Sequence, residues 1–256
     1  MTDYGSSLFA ALREECASAW RTYTEHAFVA GLGDGSLPRE AFLRYLRQDY
    51  LFLVHLTRAW ALAVVKSDRI DEMRHAAATV HALIDEEMRL HIETCAAEGI
   101  SEAELAATTE ARETLAYTRF VIDAGLAGDL LDLLVALSPC VFGYGEIGTR
   151  LMATRKPDTP YHDWIETYAG DDYQAVCREA GVLLESVARR KIGTDLKASP
   201  RWPQLAGRFG TACELEAAFW GPVQATNVAE TPHGSPFEGM AGSFLRFSVK
   251  RSSLAM

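Results

Sequence analysis

The sequence lacks the excess of basic residues with which nucleic-acid-binding proteins neutralise phosphates. Its 256 residues contain 25 Lys and Arg against 35 Asp and Glu, a formal net charge of −10 at pH 7. Such an acidic chain repels phosphate backbones, so we expect no nucleic acid as a partner. The chain also lacks a signal-peptide pattern and an apolar run of the roughly 20 residues that a membrane span needs. We therefore expect a soluble, cytoplasmic protein without membrane association.

Paired cysteines are missing as well. The five cysteines are an odd number and include no C-x-x-C pair. This usage is typical of reduced thiols and argues against both a disulfide framework and a structural zinc site.

What the sequence does contain is apolar spacing of helical period. Near the start, for example, Leu8, Leu12, Cys16 and Trp20 recur every four residues. This spacing, without alternating strands before Trp220, predicts an all-α fold: one helical bundle over residues 1–222. Helices are predicted over about 38–66, 68–98, 128–154, 160–168, 171–191 and 203–220, with another opening at a capping box at 101–104. Residues 223–256 are predicted to be a non-helical tail, either disordered or docked as an extended arm at Phe244–Val249.

Cys140 is the first candidate for chemistry. It follows Pro139 within a helical pattern, and a proline there removes one backbone hydrogen bond and kinks the helix. Groups near the thiol can then face a cavity, and Tyr144, four residues further on, shares the same helix face. The alternative is a buried cysteine that packs as a small hydrophobic residue, as most free cysteines do.

Two acidic residues lie on helix faces that are otherwise apolar. Glu216 precedes Phe219 and Trp220 by three and four residues, and Asp49 continues the stripe that includes Tyr45. Burial would raise the pKa of such a carboxyl and make it a useful proton donor. Glu216 is thus either a buried acid or a residue at the helix edge that faces water. Asp49 is either a salt-bridge partner or a group that binds a ligand.

Tyr117 and Tyr168 each combine an aromatic ring with a hydroxyl group. Such side chains suit stacking on a flat heterocycle or hydrogen bonding to it. Spacing alone does not distinguish this role from ordinary packing in the core.

Two further patterns resemble known kinds of binding site, a two-iron site and a dinucleotide-binding loop, but we predict neither. Glu87 and His91 are one helical turn apart, as in the two-iron sites of helical bundles, but beyond the isolated Glu72 and His75 no second Glu-x-x-His completes the ligand set. Glycines at 31, 33 and 35 precede a helix, but no strand leads into them. We interpret 31–35 as a tight turn rather than a dinucleotide-binding loop.

Several motifs, taken in chain order, resemble those of the TenA family of thiaminase II enzymes. The motifs that carry the resemblance are Phe28–Pro38, Phe42, Tyr45-Leu46, Gln48-Asp49-Tyr50, Glu87, Leu90-His91, Tyr117, Leu137-Ser138-Pro139-Cys140, Tyr144, Glu146, Trp164, Tyr168-Ala169-Gly170-Asp171 and Glu216-Ala217-Ala218-Phe219-Trp220. The resemblance covers about residues 5–222. Because Cys140 is present, the resemblance is to the cysteine-bearing branch of the family.

The resemblance implies a haem-oxygenase-like helical bundle without haem, assembled as a homotetramer. It also implies an enzyme of thiamin salvage that hydrolyses an aminopyrimidine. The substrate would be 4-amino-5-aminomethyl-2-methylpyrimidine, which yields the 5-hydroxymethyl pyrimidine, or thiamin itself. No metal ion and no organic cofactor is implied.

The family's site residues match positions of this sequence. Cys140 matches the nucleophile and Glu216 its acid/base partner, while Asp49 matches the residue that binds the ring nitrogen and the amino group of the pyrimidine. Tyr117, Tyr144 and Tyr168 match the tyrosines that line the pocket. The thiol would add to ring carbon C6 while Glu216 protonates the ring, which interrupts aromaticity and lets the exocyclic substituent leave.

One position of the site departs from the family. Many relatives carry a tyrosine three residues beyond the aspartate, and its hydroxyl reaches the catalytic glutamate. Phe52 stands there in this chain and has no hydroxyl. We expect Phe52 to shape the pocket without tuning Glu216.

Two other functions are alternatives on the same scaffold. Members of the family have carried the label of transcriptional activator, which suggests a non-catalytic regulator, although the net charge of −10 and the lack of a recognition helix disfavour DNA binding. A di-iron oxidase built on Glu87 and His91 is the second alternative.

Overall fold

The computed structural model describes residues 2–221, and these residues are helical with no strand among them. The all-α prediction is therefore confirmed. The elements are α1 (Ser7–Glu15), α2 (Ala17–Thr24), α3 (Ala27–Asp34), α4 (Arg39–Lys66), α5 (Ile70–Ala82), a π-helical turn (Leu83–Glu87), α6 (Met88–Ala97), α7 (Glu102–Ala106), α8 (Arg112–Ala127), α9 (Leu130–Thr154), α10 (His162–Ala169), α11 (Asp171–Ile192) and α12 (Trp202–Phe219). The predicted tail at 223–256 and its arm at Phe244–Val249 lie outside the described residues.

Helix boundaries follow the sequence signals closely where those signals are strong. Helices α4, α9, α10, α11 and α12 begin and end within about two residues of the predicted bounds. The capping box is present, because the Ser101 hydroxyl accepts a hydrogen bond from the Glu104 N–H at 3.3 Å and the Glu104 carboxylate accepts one from the Ser101 N–H at 2.8 Å. The helix that this box opens is short, however, and α8 starts separately at Arg112.

The prediction of a tight turn at 31–35 is wrong. Residues Ala27–Asp34 form α3, and only Gly35, with φ of 77°, has the left-handed conformation that ends it. Gly31 and Gly33 serve packing instead. A Cβ at Gly31 would lie 2.9 Å from the Leu37 nitrogen, and one at Gly33 would lie 2.8 Å from a methyl group of Leu151. Glycine here allows close approach within a helix rather than a change of direction.

Two predicted helices are interrupted. The stretch that begins with Leu8 divides at Cys16 into α1 and α2. The stretch 68–98 divides into α5 and α6 around the π-helical turn Leu83–Glu87. Such turns insert one residue into a helix and occur frequently at functional sites. The apolar periodicity does not reveal a single inserted residue, because the helix on each side of the insertion keeps the regular helical period.

Helix α9 forms the centre of the bundle. Contrary to expectation, it is long and apolar enough to span a membrane by length and composition, but 89% of its most apolar stretch is buried among the other helices. Helices α4, α8, α10, α11 and α12 all pack against it. At its start, Asp129 accepts hydrogen bonds from the backbone N–H groups of Leu131 and Asp132, and the buried Asp132 carboxylate pairs with Arg201 at 2.7 Å.

Pro139 lies inside α9, as the sequence predicts. A proline at this position cannot donate to the carbonyl of Val135, four residues earlier. The Ser138 hydroxyl donates to that carbonyl at 2.8 Å instead, and the Cys140 thiol donates to the carbonyl of Leu137 at 3.0 Å. The Ser138 hydroxyl therefore replaces the one backbone donor that the proline removes.

Candidate active site

A cavity of about 190 Å³ lies between α4, α5, the π-helical turn, α9 and α11. A cavity of ~150 Å³ accommodates a benzene molecule, so this one suits a substituted aromatic ring. Most of its wall is apolar. Its polar lining near α9 consists of Asp49, Glu87, Cys140, Tyr144, Tyr168 and Tyr173, and Phe52 also lines it.

Cys140 reaches this cavity from α9 and is 8% exposed. Burial, together with the charges of Glu216 and Asp49, raises the pKa of the Cys140 thiol well above its usual value, while a hydrogen bond with Tyr117 lowers it. In the resting protein the group is therefore a thiol.

Glu216 lies on the buried face of α12 and is 1% exposed, so the alternative that it faces water is wrong. Its Oε1 accepts a hydrogen bond from the Tyr117 hydroxyl at 2.8 Å. Burial raises the pKa of Glu216 to about 8, and the charge of Asp49 adds to the increase, while the hydrogen bond from Tyr117 opposes it. The carboxyl is thus mostly protonated at pH 7 and can donate a proton.

Tyr117 and Phe52 connect Glu216 to the cavity wall. The Phe52 ring stacks on the Tyr117 ring with centroids 5.2 Å apart and an angle of 25° between planes. Phe52 faces the cavity, whereas Tyr117 and Glu216 are not among the described side chains that line it. The hydroxyl that reaches Glu216 in this chain is that of Tyr117, and Phe52 contributes only its ring.

Replacement of Tyr117 by phenylalanine should raise the pKa of Glu216. The lost hydrogen bond stabilises the carboxylate form of Glu216, so its removal favours the protonated form. We expect the pKa of Glu216, followed by its carboxyl band in an infrared pH titration, to rise by about one pH unit, the worth of one hydrogen bond to a charged group. Tyr161→Phe is the control, because the Tyr161 hydroxyl donates to the carbonyl of Leu37. An unchanged pKa of Glu216 in Tyr117→Phe would show that this hydrogen bond does not stabilise the carboxylate.

Asp49 lies on α4, lines the cavity and lies beside His91. Its Oδ2 lies 3.6 Å from Nδ1 of His91, whose Nε2 lies 2.9 Å from the Leu46 carbonyl and carries the proton of that hydrogen bond. Burial raises the pKa of Asp49 to about 6, opposed by His91 and by a hydrogen bond with Tyr45. Asp49 is therefore mostly ionised at pH 7 and can accept hydrogen bonds from a ligand.

Tyr144 and Tyr168 face each other at the cavity wall, with ring centroids 4.8 Å apart and an angle of 54° between planes. Both are hydrogen-bonded to Tyr45, and so is Nε1 of Trp164, at 3.4 Å from the Tyr45 hydroxyl. A Cβ at Gly148 would lie 2.5 Å from the carbonyl carbon of Tyr168, so this glycine lets α10 approach α9. The close approach places Tyr168 in the cavity.

The structure gives Glu87 and His91 roles other than that of a two-iron ligand pair. The His91 ring supports Asp49, and Glu87 lies at the end of the π-helical turn and lines the cavity. Within residues 2–221, the group of three potential ligand side chains with atoms within 4.8 Å of one another is elsewhere, on α10. It consists of His162, Asp163 and Glu166.

Sequence reasoning missed three residues of the site. Tyr45 was assigned only to the apolar stripe, although its position four residues before Asp49 places both on one helix face. His91 and Glu87 were weighed as metal ligands and counted among the family motifs, but they were given no role in the site. The available signal was that no second Glu-x-x-His completes a metal motif. One carboxyl and one imidazole then remain on a helix without an assigned partner.

The fold and the cavity together define a class of protein: an all-α bundle that encloses a thiol, ionisable carboxyls and tyrosine hydroxyls around a space for one small ring. The chain belongs to the TENA/THI-4/PQQC family, whose model matches residues 13–226. This assignment confirms the resemblance to TenA proteins.

Three relatives show how far the similarity extends. The crystal structure of a TenA family transcription regulator from Silicibacter sp. TM1040 has a TM-score of 0.83 at 57% identity, covering 86% of this chain and 97% of that chain. The TenA homologue of Pyrococcus horikoshii has a TM-score of 0.74 at 25% identity, covering 82% and 95%. Among curated proteins, an aminopyrimidine aminohydrolase of Halalkalibacterium halodurans is 34% identical over 216 residues, 84% of this chain and 94% of the relative. The bundle is therefore of the TenA type.

Proposed function

We propose that this chain hydrolyses the bond between the exocyclic methylene of an aminopyrimidine and its leaving group, in thiamin salvage. The substrate is 4-amino-5-aminomethyl-2-methylpyrimidine or thiamin, Cys140 is the nucleophile and Glu216 is the acid and base. One observation carries the proposal: the Cys140 thiol lies at the wall of a ring-sized cavity that also contains Asp49, and it interacts with Glu216. The name of the Halalkalibacterium halodurans relative supports the substrate class. The proposed assembly is a cytoplasmic homotetramer that needs no cofactor.

Binding of the ring begins with Asp49. Its carboxylate accepts a hydrogen bond from the 4-amino group, which fixes the orientation of the ring. Phe52, Tyr144 and Tyr168 pack around the ring and exclude water from it. These contacts hold C6 of the ring near the sulfur of Cys140, which lowers the entropic cost of their reaction.

The first chemical step adds the thiol across the N1–C6 bond of the ring. The proposed step passes a proton from Glu216, which lies behind the cavity wall, to N1 while the sulfur forms a bond to C6, and the carboxylate left on Glu216 takes the thiol proton. The net result is an adduct whose ring is neutral and a reprotonated Glu216. A thiol with a raised pKa can react in this way because the Glu216 carboxylate accepts its proton at the moment of attack.

In the second stage, the 4-amino lone pair expels ammonia from the methylene, and the C–N bond breaks. The ring then carries a positive charge, which Asp49 stabilises from the amino side. Water adds to the methylene and gives its extra proton to the released ammonia. The C6–S bond breaks as N1 loses its proton through Glu216 to the sulfur, which returns the thiol and the hydroxymethyl product.

Steady-state kinetics on the two substrates test the proposal directly. The purified chain should release ammonia from the aminomethyl pyrimidine or the thiazole from thiamin, and the ratio of the two kcat/KM values identifies the preferred substrate. Turnover of neither would contradict the proposed function.

Replacement of Asp49 by asparagine should weaken substrate binding strongly. Asparagine keeps the shape of the side chain but lacks the charge that holds the amino group, so kcat/KM should fall about 30- to 100-fold, mainly through KM. The same assay measures it. Asp163→Asn, on the exposed surface of α10, is the matched control. A KM within threefold of the unmodified chain would mean that Asp49 does not bind the ring.

A regulatory role is the second candidate, because the Silicibacter relative is described as a transcription regulator. Such a role needs ligand binding but no turnover. Calorimetric binding of the aminomethyl pyrimidine without release of ammonia would favour it over hydrolysis. The presence of the Cys140 thiol at the cavity wall favours the enzyme.

A further inference from the structure

We propose that Glu87 binds the protonated amine of the substrate's aminomethyl arm, so that the π-helical turn selects a cationic leaving group. The inference rests on the proposed function and adds to it a residue that determines specificity. It depends on where Glu87 lies, on its lack of a counter-charge and on the direction in which the arm of a bound ring points.

Glu87 lies where two cavities adjoin. It lines the main cavity and also a second space of about 20 Å³, and Asp49 and Tyr168 border both. Glu87 ends the π-helical turn, and α5 leads into that turn with further lining residues at Thr79 and Ala82. One inserted residue rotates the side chains that follow it by about 100° relative to a regular helix. This rotation changes the direction of the Glu87 side chain.

No cation in the described part of the chain pairs with the Glu87 carboxyl, and no hydrogen-bond donor among residues 2–221 reaches it. The charges that act on it are those of Asp49 and Glu86, both negative. Burial, reinforced by these two charges, raises the pKa of Glu87 to about 8. A carboxyl in these surroundings is costly to ionise, and a bound cation would supply the counter-charge that the protein does not.

The geometry of the ring directs its arm toward this carboxyl. In the substrate, C5 lies between C4, which bears the amino group, and C6, which the thiol attacks. With the amino group at Asp49 on α4 and C6 at Cys140 on α9, the arm on C5 lies between these two contacts. The other walls of the cavity are formed by α5, the π-helical turn, Tyr168 and α11, and among their residues Glu87 lies close enough to Asp49 for the two charges to interact.

The charge of the arm changes during the reaction. A primary amine such as that of lysine titrates near ~10.4, so the aminomethyl arm is a cation at pH 7. The product carries a neutral hydroxymethyl group instead. A carboxyl at the end of the arm therefore favours binding of substrate over product, and it favours a cationic leaving group over a neutral one.

Calorimetric titration at pH 7 tests the inference in a Cys140→Ser background, which binds ligand without turning it over. The ligands are the aminomethyl pyrimidine and its hydroxymethyl analogue, which differ in the charge of the arm. In Glu87→Gln we expect affinity for the aminomethyl ligand to fall about 30-fold, with less than about a threefold change for the hydroxymethyl ligand. Glu102→Gln, the same change on the exposed surface of α7, should alter neither affinity.

Two results would overturn the inference. Equal weakening of both ligands by Glu87→Gln would show that Glu87 holds the ring or the local fold rather than the amine. Unchanged binding of the aminomethyl ligand would show that Glu87 does not contact the arm. If the parent Cys140→Ser binds neither pyrimidine, it is the proposed function that fails, and this inference fails with it.

Discussion

Replacement of Cys140 by serine is expected to lower kcat for aminopyrimidine hydrolysis at least ~10³-fold, equivalent to about 4 kcal/mol of transition-state stabilisation. A hydroxyl is a far weaker nucleophile than a thiol, and it departs less readily from the ring carbon in the last step. Serine also fits the space and can donate to the Leu137 carbonyl in place of the thiol. The helical circular dichroism and the thermal transition should therefore stay close to those of the unmodified protein, and ammonia release measures the activity.

Cys16→Ser is the matched control for this variant. Its thiol lies between α1 and α2 and donates to the carbonyl of Ala206 at 3.3 Å, a contact that serine can also make. The control should keep full activity. Should Cys140→Ser retain more than a tenth of the original kcat, a covalent adduct at this sulfur cannot be the main route, and direct attack of water would have to replace it.

The sequence predicted well those features that depend on neighbours along the chain. Helices α4 and α9 follow from apolar spacing with caps, and Pro139 marked the point at which Cys140 meets the cavity. The π-helical turn could not be predicted, because a single inserted residue leaves the period of each flanking helix intact. Helix α3 was missed because Gly31 and Gly33 signal a turn unless the close contacts that require them are known.

The electrostatic features of the site depend on contacts between distant segments. Tyr117 and Glu216 are 99 residues apart and meet only because α8 packs against α12. Whether Glu216 is buried, and hence whether its pKa is raised, was therefore undecidable from α12 alone. The same applies to the approach of His91 to Asp49, since α4 and α6 are joined by the interrupted helix. The resemblance to the family named Glu216 and Asp49 as site residues, but it did not predict these contacts.

Replacement of Glu216 by glutamine is expected to lower kcat about 10²- to 10⁴-fold, the usual contribution of a general acid and base. Glutamine keeps the shape of the side chain and an oxygen that accepts the hydrogen bond from the Tyr117 hydroxyl. The loss of activity therefore measures the missing proton transfer rather than a change in packing. In the unmodified chain, activity should decline as the pH rises through about 8, where Glu216 loses its proton. Glu214→Gln, on the exposed face of the same helix, is the control and should be fully active.

The same variant should become more stable than the unmodified protein as the pH rises. Burial raises the pKa of Glu216 to about 8 in the folded protein, whereas glutamate in an unfolded chain titrates near ~4.3. Between these two pH values the folded protein binds more protons than the unfolded chain at this site, so the free energy of unfolding falls with increasing pH. Glutamine does not titrate and escapes that loss. Urea denaturation at pH 5 and pH 8 measures the difference between variant and parent, which should be larger at pH 8. A difference that is equal at both pH values would mean that Glu216 is already ionised in the folded protein, and a carboxyl without a proton could not start the reaction.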